Sequence, residues 1–591
     1  MTTRKKPVDV VLVGFGWTGA IMAMEMTEAG LNVVALERGD MQDTATAAIY
    51  PRVIDELAYS IRGKLFQDLS KETVTFRHRP DDVAVPYRQQ GAILLGNGVG
   101  GAGFHWNGLT WRPLPSDLKL RSHYTERYGA RFIPVDMTIA DFPVAYADLE
   151  PFFTQFENVA GVSGKAGNIG GRIMAGGNRF EGPRSSEYPL PPLKNVYGDT
   201  VFAQAAEDSG YQPFSIPAAN ASQPYTNPYG VRMGPCNFCG FCEGYGCYMY
   251  AKASPQSTIL PVLIMRPNFE LRTRAHVTRV NLDASRRQAT GVTYVDAQGT
   301  QVEQPARIVI LTAFQLHNVR LLLLSGIGTP YDPATGHGVV GKNFAYQMLS
   351  SVNVALPAST EINPFIGSGA GGKSIDDFNG DNFDHGPVGF LGGSGIVHHR
   401  TGGRPIGQSA VPKGAPAWGS EWKRSVQQTY HRTLTIGTQG SVMSYRDAYL
   451  SLDPTYRDSF GQPLLRITFD WHDNDLKMCD FVTRKAEAIA QATKPTSYQT
   501  NPKKPGTRFD TRIYQSTHTT GGAIMGTTPA NSVVNRYLQS WDVHNLFVTG
   551  ASAFPQNFGY NPTGLVGALS YWAAKAIRSE YLRDPRPMVD A

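Results

Sequence analysis

The 591-residue sequence has no apolar stretch close to the ~20 residues that a membrane-spanning helix needs. It has no internal repeat, no low-complexity tract and no long basic run. The densest basic run is Arg4-Lys5-Lys6, and the net charge is +6, so composition does not support nucleic-acid binding. The first apolar run, Val10 to Val13, is cut at once by glycine. It therefore predicts a strand entering a turn, and no signal peptide or membrane anchor is expected.

Cysteine is scarce, yet four of the five cysteines lie within twelve residues: Cys236, Cys239, Cys242 and Cys247. Glycine and aromatic residues fill the spaces between them, which predicts a tight loop. Reduced cysteines fit a chain that folds in a reducing compartment. Closely spaced thiolates indicate an iron–sulfur cluster. A structural zinc site, which usually uses two separated Cys pairs, and a disulfide are the alternatives.

Glycine and proline are abundant, with 62 and 40 residues, and indicate a loop-rich architecture. The length of 591 residues suggests more than one domain. Aromatic residues make up 11% of the sequence, so the loops are expected to pack against a folded body.

The first forty residues predict a β-α-β unit that binds a dinucleotide. A strand from Val8 to Val13, a helix from Ala20 to Ala29 and a strand from Asn32 to Leu36 follow in order. The G-x-G-x-x-G spacing lies between the first strand and the helix, at Gly14, Gly16 and Gly19. These glycines allow a tight turn, close approach to a pyrophosphate, and close helix–strand packing, respectively. Glu37 ends the second strand and is placed to accept hydrogen bonds from a ribose.

A second glycine cluster occupies residues 96–108, after an apolar run from Ala92 to Leu95 that predicts a strand. Each glycine costs conformational entropy to order, so such a cluster needs a reason. Close backbone approach to a large flat ligand supplies one. Val99, Phe104 and Trp106 within the run argue against a flexible surface loop.

These motifs resemble those of the glucose–methanol–choline (GMC) oxidoreductases. Residues 306–328 and 545–555 continue the resemblance, although Phe314-Gln315 stands where the family often has Gly-Ala. The resemblance implies FAD rather than NAD, and an α/β architecture with a Rossmann-like FAD-binding domain and a sheet-based substrate domain like that of p-hydroxybenzoate hydroxylase. It implies these cofactor-binding residues: Gly14, Gly16, Gly19, Glu37, Gly98, Gly100, Gly101, Gly103, His105, Asn107, Val277, Gly550, Ala551 and Asn561.

The resemblance also implies a catalytic pair, His518 and Asn561, facing the flavin. Alcohol oxidation removes the hydroxyl proton and passes a hydride to flavin. A neutral imidazole suits the proton-accepting role, and an amide orients the same oxygen without titrating. His105 is a candidate for a covalent link to FAD, and the alternative is a loop histidine that packs near the flavin without a bond.

The cysteine loop is similar to that of a GMC subset, the flavoprotein subunits of bacterial membrane-bound sugar-acid dehydrogenases of the gluconate 2-dehydrogenase type. The similarity implies a [3Fe–4S] cluster held by Cys236, Cys242 and Cys247, with Cys239 spare. A four-iron cluster that uses all four cysteines stays open.

Five segments are predicted. Residues 1–150 begin the FAD-binding domain, 151–220 form a lid and substrate-domain insertion, and 221–345 carry the cysteine loop and return to the FAD-binding domain. Residues 346–510 form the substrate domain, where Leu465 to Trp471 predicts a strand, and 511–591 complete the FAD-binding domain. A helix is predicted from Gly564 to Ser579.

The resemblance implies a dehydrogenase that oxidises a secondary hydroxyl of a sugar acid, D-gluconate to 2-keto-D-gluconate. Electrons would leave through the cluster to a cytochrome c subunit and reach quinone indirectly. A small subunit carrying the export signal would place the complex at the periplasmic face of the inner membrane. The alternatives are a 2-ketogluconate, sugar-alcohol or glycoside 3-dehydrogenase and, in another class, an FAD oxidase with structural zinc.

Overall fold

A twisted sheet of eight strands forms the centre of the computed structural model. Four strands lie side by side and parallel, and a fifth pairs parallel with the last of them: Phe269–Arg272, Val33–Leu36, Val8–Val13, Gln301–Leu311 and Leu546–Val548. In chain order this arrangement is 3-2-1-4-5, the order of a nucleotide-binding doubly wound sheet. The predicted Rossmann-like domain is therefore confirmed. The structure describes residues 3–43, 65–89, 91–399, 411–412 and 414–590.

The first β-α-β unit follows the prediction closely. The first strand is Val8–Val13 and the second is Val33–Leu36, and both are apolar and buried. The helix is Trp17–Glu28, which begins three residues before the predicted start because the last glycine of the motif is already helical. Gly30 follows the helix with φ +82°, a conformation that glycine adopts without strain.

The long strand Gln301–Leu311 extends the central sheet on one side. Ala289–Val295 pairs antiparallel with it, His276–Leu282 pairs antiparallel with Ala289–Val295, and Thr3–Arg4 pairs parallel with its first half. In the strand His276–Leu282, Thr278 and Val280 are buried and Arg279 between them is exposed, as expected for a strand with one face on the core.

A second sheet has six antiparallel strands, five of which lie in residues 346–510, the segment predicted to form the substrate domain. Its order is Ser497–Thr500, Met348–Ala355, Thr433–Gly440, Ser394–His399, Gly372–Ile375 and Phe214–Ser215. The helices Asp473–Ala492 and Tyr197–Asp208 cover one face, where Val352, Ile436 and Ile489 share a fully buried cluster. The other face carries half-buried polar residues and lies towards the cavity described below.

A four-stranded sheet joins distant parts of the chain, in the order Tyr449–Arg457, Pro463–Thr468, Val74–Arg77 and Val85–Pro86. The predicted strand at Leu465 is present, and ends at Thr468. The predicted strand from Ala92 to Leu95 is wrong. Ala92 N donates to Thr511 O and Leu95 O accepts from Gln67 N, so this apolar run is buried between loops without a neighbouring strand.

Three two-stranded pairs complete the β structure of the described residues: Asn168–Ile169 with Arg172–Ile173, Tyr225–Thr226 with Arg232–Met233, and Ala345–Tyr346 with Thr519–Thr520. The other α-helices in the described ranges are Ala102–His105, Leu120–Tyr128, Tyr146–Ala160, Pro255–Thr258, Leu260–Leu263, Gln315–Ser325, Gly419–Thr429 and Thr563–Ala576. The last of them confirms the predicted C-terminal helix. Within the described ranges, none of the helices combines the length and apolar character needed to cross a bilayer.

Candidate active site and cysteine loop

A cavity of about 260 Å³ opens at the carboxyl ends of the parallel strands, whereas two smaller cavities measure about 10 Å³ each. Open α/β sheets bind their ligands in this crevice. Among the residues predicted from sequence, the following line it: Gly14, Gly16, Glu37, Gly101, Gly103, Asn107, Val277, His518, Gly550, Ala551 and Asn561. Four described residues of the predicted set, Gly19, Gly98, Gly100 and His105, lie outside this lining.

The glycine motif has the packing that a phosphate cradle needs. Gly14 has φ +100°, and a Cβ there would lie 2.9 Å from Ala313 Cα. A Cβ on Gly19 would lie 2.3 Å from Gly14 O, so this glycine is needed for helix–strand contact. A Cβ on Gly16 would meet no protein atom closer than 3.8 Å, because it would point into the cavity. No side chain caps the helix that begins at Trp17, so its first N–H groups can bind an anion.

Polar groups at the cavity wall fit a dinucleotide. The buried Glu37 carboxylate accepts from Phe15 N at 3.0 Å and from Gly39 N at 2.9 Å, and the Gly98 backbone N–H adds a further contact. A carboxylate has about four lone-pair sites, so it can still accept from a ribose hydroxyl. Burial raises the pKa of Glu37. Trp17 Nε1 and Gln315 Oε1 are buried at the cavity and have no hydrogen-bond partner in the described part of the chain. A polar ligand in the cavity can satisfy both.

His105 belongs to the glycine loop, residues 96–108, but lies outside the cavity lining. Its ring packs against the Phe66 ring with 4.7 Å between centroids, and the side chain is buried. The covalent link from His105 to FAD stays a prediction from sequence, and the packing favours its alternative, a histidine held in the loop without a bond.

His518 and Asn561 meet at the cavity, with 3.3 Å between His518 Nε2 and Asn561 Nδ2. The short strand Thr519–Thr520 pairs with Ala345–Tyr346, and Asn557 Nδ2 donates to His518 O at 2.9 Å. Burial lowers the pKa of His518 to about 4. The ring is therefore neutral at neutral pH and can accept a proton.

Three residues that sequence reasoning missed surround this pair. Trp111 Nε1 donates to Asn561 Oδ1 at 3.1 Å. Gln347 Oε1 lies 2.6 Å from His518 Nδ1, and Gln439 Nε2 lies 3.2 Å from the same nitrogen. None of the three stands in a motif, so the sequence carries no local signal for them.

The predicted cysteine loop is confirmed as irregular chain, packed against the glycine loop. Three sulfurs each accept an N–H: Cys236 from Phe238 N at 3.5 Å, Cys247 from Lys252 N at 3.5 Å, and Cys242 from the Asn220 side chain at 3.7 Å.

The same three sulfurs share one environment. Burial, with the neighbouring sulfurs of Cys242 and Cys247, raises the pKa of Cys236 to about 12. Cys239 instead packs against Tyr245 in a separate small cluster and bridges to Gly367. Among the described residues, no group of three or more His, Cys, Asp or Glu side chains is placed to hold a single metal ion.

The Lys252 side chain connects the glycine loop to the cysteine loop. The sequence analysis did not identify it as a site residue. Its fully buried ammonium donates to Trp106 O at 2.6 Å in the glycine loop. It also donates to Cys242 O and Tyr245 O in the cysteine loop, both at 2.7 Å. Gly244 N adds a bond to His105 O at 2.6 Å. The cysteine loop is therefore fixed directly against the cavity wall.

Comparisons with known proteins agree with this architecture. Two family models described as GMC oxidoreductase match residues 199–349 and 444–570. The chain is 58% identical over 589 residues to the gluconate 2-dehydrogenase flavoprotein of Pantoea cypripedii, covering 99% of this chain and 96% of that protein. It is 25% identical to the fructose dehydrogenase large subunit of Gluconobacter japonicus, covering 98% and 99%.

Among solved structures, pyridoxine 4-oxidase from Mesorbium loti superimposes with a TM-score of 0.58 and 17% identity. The match covers 96% of this chain and 98% of that one. At this identity the match speaks for the fold alone, and it agrees with the predicted fold class.

Proposed function

Because the chain belongs to the GMC oxidoreductase family, which uses FAD, we propose that it is the flavoprotein of a dehydrogenase that oxidises D-gluconate to 2-keto-D-gluconate. One observation carries the chemistry: His518 Nε2 and Asn561 Nδ2 meet at 3.3 Å in the cavity that the glycine motif lines. The substrate is proposed from the relative that is 58% identical.

His518 and Asn561 have different roles in the reaction. His518 Nε2 takes the proton of the substrate hydroxyl, and Asn561 Nδ2 donates to the same oxygen and orients it. Trp111 holds the Asn561 amide in that orientation. FAD, when bound, supplies the acceptor for the hydride from the adjacent carbon, which completes the two-electron oxidation to a ketone.

The glycine motif and Glu37 would hold FAD, and the missing side chain of Gly16 leaves room for a pyrophosphate to approach the backbone. We expect Gly16→Ala to lower FAD affinity about tenfold or more, because an overlapping methyl costs about 1–3 kcal/mol. The unfolding temperature of the flavin-free protein should stay unchanged, since the new Cβ meets only Gly100 O at 3.8 Å. Fluorescence titration with FAD measures the first effect and calorimetry the second. Gly19→Ala is the matched comparison, because its Cβ clashes with Gly14 O and should lower stability as well.

The cysteine loop would hold an iron–sulfur cluster, and Cys236, Cys242 and Cys247 are its proposed ligands. Each of these sulfurs accepts an N–H, a contact that tunes cluster potentials. A structural zinc site usually combines two separated Cys pairs, whereas these cysteines all lie in one short loop. A cluster, when bound, supplies one-electron transfer. The contact with the cavity wall through Lys252 supports this role.

The surface around the cysteine loop is suited to binding a redox partner. Exposed apolar side chains surround it: Tyr250, Phe365, Ile366, Ile513 and Tyr514. Tyr514 OH donates to Glu243 in the loop, and Gly367, beside Ile366, pairs with Cys239. Contiguous exposed apolar side chains indicate an interaction site. The relatives are named a flavoprotein and a large subunit, which supports a complex. We take the partners to be a cytochrome c subunit and a small export-signal subunit, at the periplasmic face of the inner membrane.

Phe365→Asp should weaken binding of the cytochrome subunit by about tenfold or more, because it places a charge in an apolar contact. Dye reduction by substrate should stay unchanged. Affinity is measured by biolayer interferometry with the purified cytochrome subunit. Val135→Asp is the matched control. Val135 is also an exposed apolar residue, and its neighbour Asp136 accepts a hydrogen bond from Arg446 N rather than contacting the cysteine loop. Equal affinities for the two variants would place the partner elsewhere.

A dye-reduction screen tests the proposed substrate. Gluconate should give the highest kcat/KM among gluconate, 2-ketogluconate, sorbitol, fructose and glucose. A different preferred substrate would replace gluconate in the proposal. Stoichiometric hydrogen peroxide and the presence of zinc without iron would favour the FAD oxidase instead.

A further inference from the structure

The buried side chain of Gln347 has only one possible orientation. Its Nε2 lies 2.7 Å from Phe558 O and 3.0 Å from Tyr560 O. Carbonyl oxygens only accept hydrogen bonds, so the atom between them must be the amide nitrogen. The amide oxygen Oε1 therefore points the other way, towards the ring of His518.

This orientation decides which ring nitrogen of His518 carries the proton. Gln347 Oε1 lies 2.6 Å from His518 Nδ1, and an amide oxygen cannot donate. An unprotonated Nδ1 would bring its lone pair against a lone pair of the amide oxygen at that distance, so Nδ1 carries the hydrogen and donates to Gln347 Oε1. Gln439 Nε2, 3.2 Å from Nδ1, gives its proton to Gln347 Oε1 at the shorter distance of 2.6 Å.

The other ring nitrogen then has its lone pair on the cavity side, where it accepts a hydrogen bond from Asn561 Nδ2. Nε2 faces the Asn561 amide nitrogen at 3.3 Å, and Trp111 fixes that amide from behind. The proton acceptor and the donor at the reaction site are thus each oriented by a residue outside it.

We propose that Gln347 is a positioning residue that holds His518 in the Nδ1–H tautomer, so that Nε2 is the proton-accepting atom. The inference rests on the proposed function, in which His518 is the base. It adds that the base is competent only while Gln347 presents its oxygen to Nδ1, and that Gln439 would favour the wrong tautomer if that oxygen were removed.

The test uses the FAD-loaded protein with the variants Q347M, Q439L and the double variant. In Q347M the Gln439 N–H turns to Nδ1, and Nε2 becomes protonated. We expect kcat to fall by about 10²- to 10⁴-fold, the range seen when a catalytic imidazole is held in the wrong tautomer. KM should change little, because binding does not depend on the tautomer. Adding Q439L should recover at least part of the loss, since it removes the competing donor.

A merely structural role for Gln347 predicts the opposite pattern. Then the double variant would be as slow as Q347M or slower, and the inference would be overturned. Gln556→Met is the matched control: Gln556 is 1% exposed, Gln347 is 0% exposed, and Gln556 contacts Asp117 and Ala140 rather than His518. It should keep the parent kcat.

Chemical modification of the flavin-free protein gives a readout independent of turnover. Diethyl pyrocarbonate attacks an imidazole nitrogen only where that nitrogen is unprotonated and accessible, and Nε2 is the nitrogen on the cavity side. His518 should therefore react readily in the parent and more slowly in Q347M, in which Nε2 is protonated, as measured by mass spectrometry. Equal modification rates of His518 in the parent and in Q347M would contradict the tautomer assignment. If H518A keeps its turnover, the proposed function itself fails. If H518A is inactive while Q347M keeps its kcat, only this inference fails.

Discussion

Replacing His518 by alanine is expected to lower kcat/KM for the sugar acid by about 10²- to 10⁴-fold, the contribution of a positioned general base. The variant loses the only group next to Asn561 Nδ2 that is placed to take the hydroxyl proton within the described cavity wall. Stopped-flow measurement of flavin reduction by gluconate isolates this step. The flavin content should match the parent, which separates lost chemistry from lost cofactor.

The pH profile of the parent enzyme is a second test of the assignment of His518 as the general base. Burial lowers the pKa of His518 to about 4, and only the neutral ring accepts a proton. The rate should therefore hold as pH falls through 6.5, the usual histidine range, and decline only towards pH 4. His518→Ala should lose this acid limb.

His544→Ala is the control for both measurements. His544 is a partly buried histidine whose Nδ1 contacts Tyr581 OH, and it does not line the described cavity. It should keep the parent rate and profile. Full turnover in His518→Ala would argue instead for a subunit that only binds or transfers electrons.

The parts of the site that could be predicted are those written in short stretches of sequence. The motif from Gly14 to Gly19 needs only a strand, a turn and a helix, and each is specified by adjacent residues. The cysteine loop is likewise local. The strand Val8–Val13 and the helix Thr563–Ala576 follow from apolar runs of the right length.

The parts that could not be predicted depend on contacts between distant residues. Gln347 and His518 are 171 positions apart, and Trp111 and Asn561 are 450 apart. No periodicity or spacing connects such pairs. The wrong prediction of a strand from Ala92 to Leu95 has the same cause, a dependence on distant residues. An apolar run shows that a segment is buried, but not whether another strand lies beside it.

Replacing Cys242 by serine should remove the electron paramagnetic resonance signal of the oxidised protein and most of its iron. Cys239→Ser should leave both in place. Cys242 is buried and shares its surroundings with Cys236 and Cys247, whereas Cys239 packs against Tyr245. Oxidised [3Fe–4S] clusters carry unpaired spin, so the signal reports the cluster without any turnover.

The two half-reactions should separate in Cys242→Ser. His518 and Asn561 are untouched, so gluconate should still reduce the flavin at close to the parent rate. Reduction of the cytochrome subunit should fall to near background, because the proposed electron exit is gone. Cys479→Ser is the control, since Cys479 is buried in the helix Asp473–Ala492, far along the chain from the loop.

Each alternative for the loop gives a different pattern across the serine variants. If Cys239→Ser also loses the native cluster, all four cysteines are ligands and a four-iron cluster replaces the three-iron one. If the parent holds zinc and no iron, the loop is structural, and Cys242→Ser should lower stability without affecting electron transfer. The three-ligand assignment holds only if Cys236, Cys242 and Cys247 variants each lose the signal while Cys239→Ser keeps it, because only then do the sulfurs that share one environment act as one site.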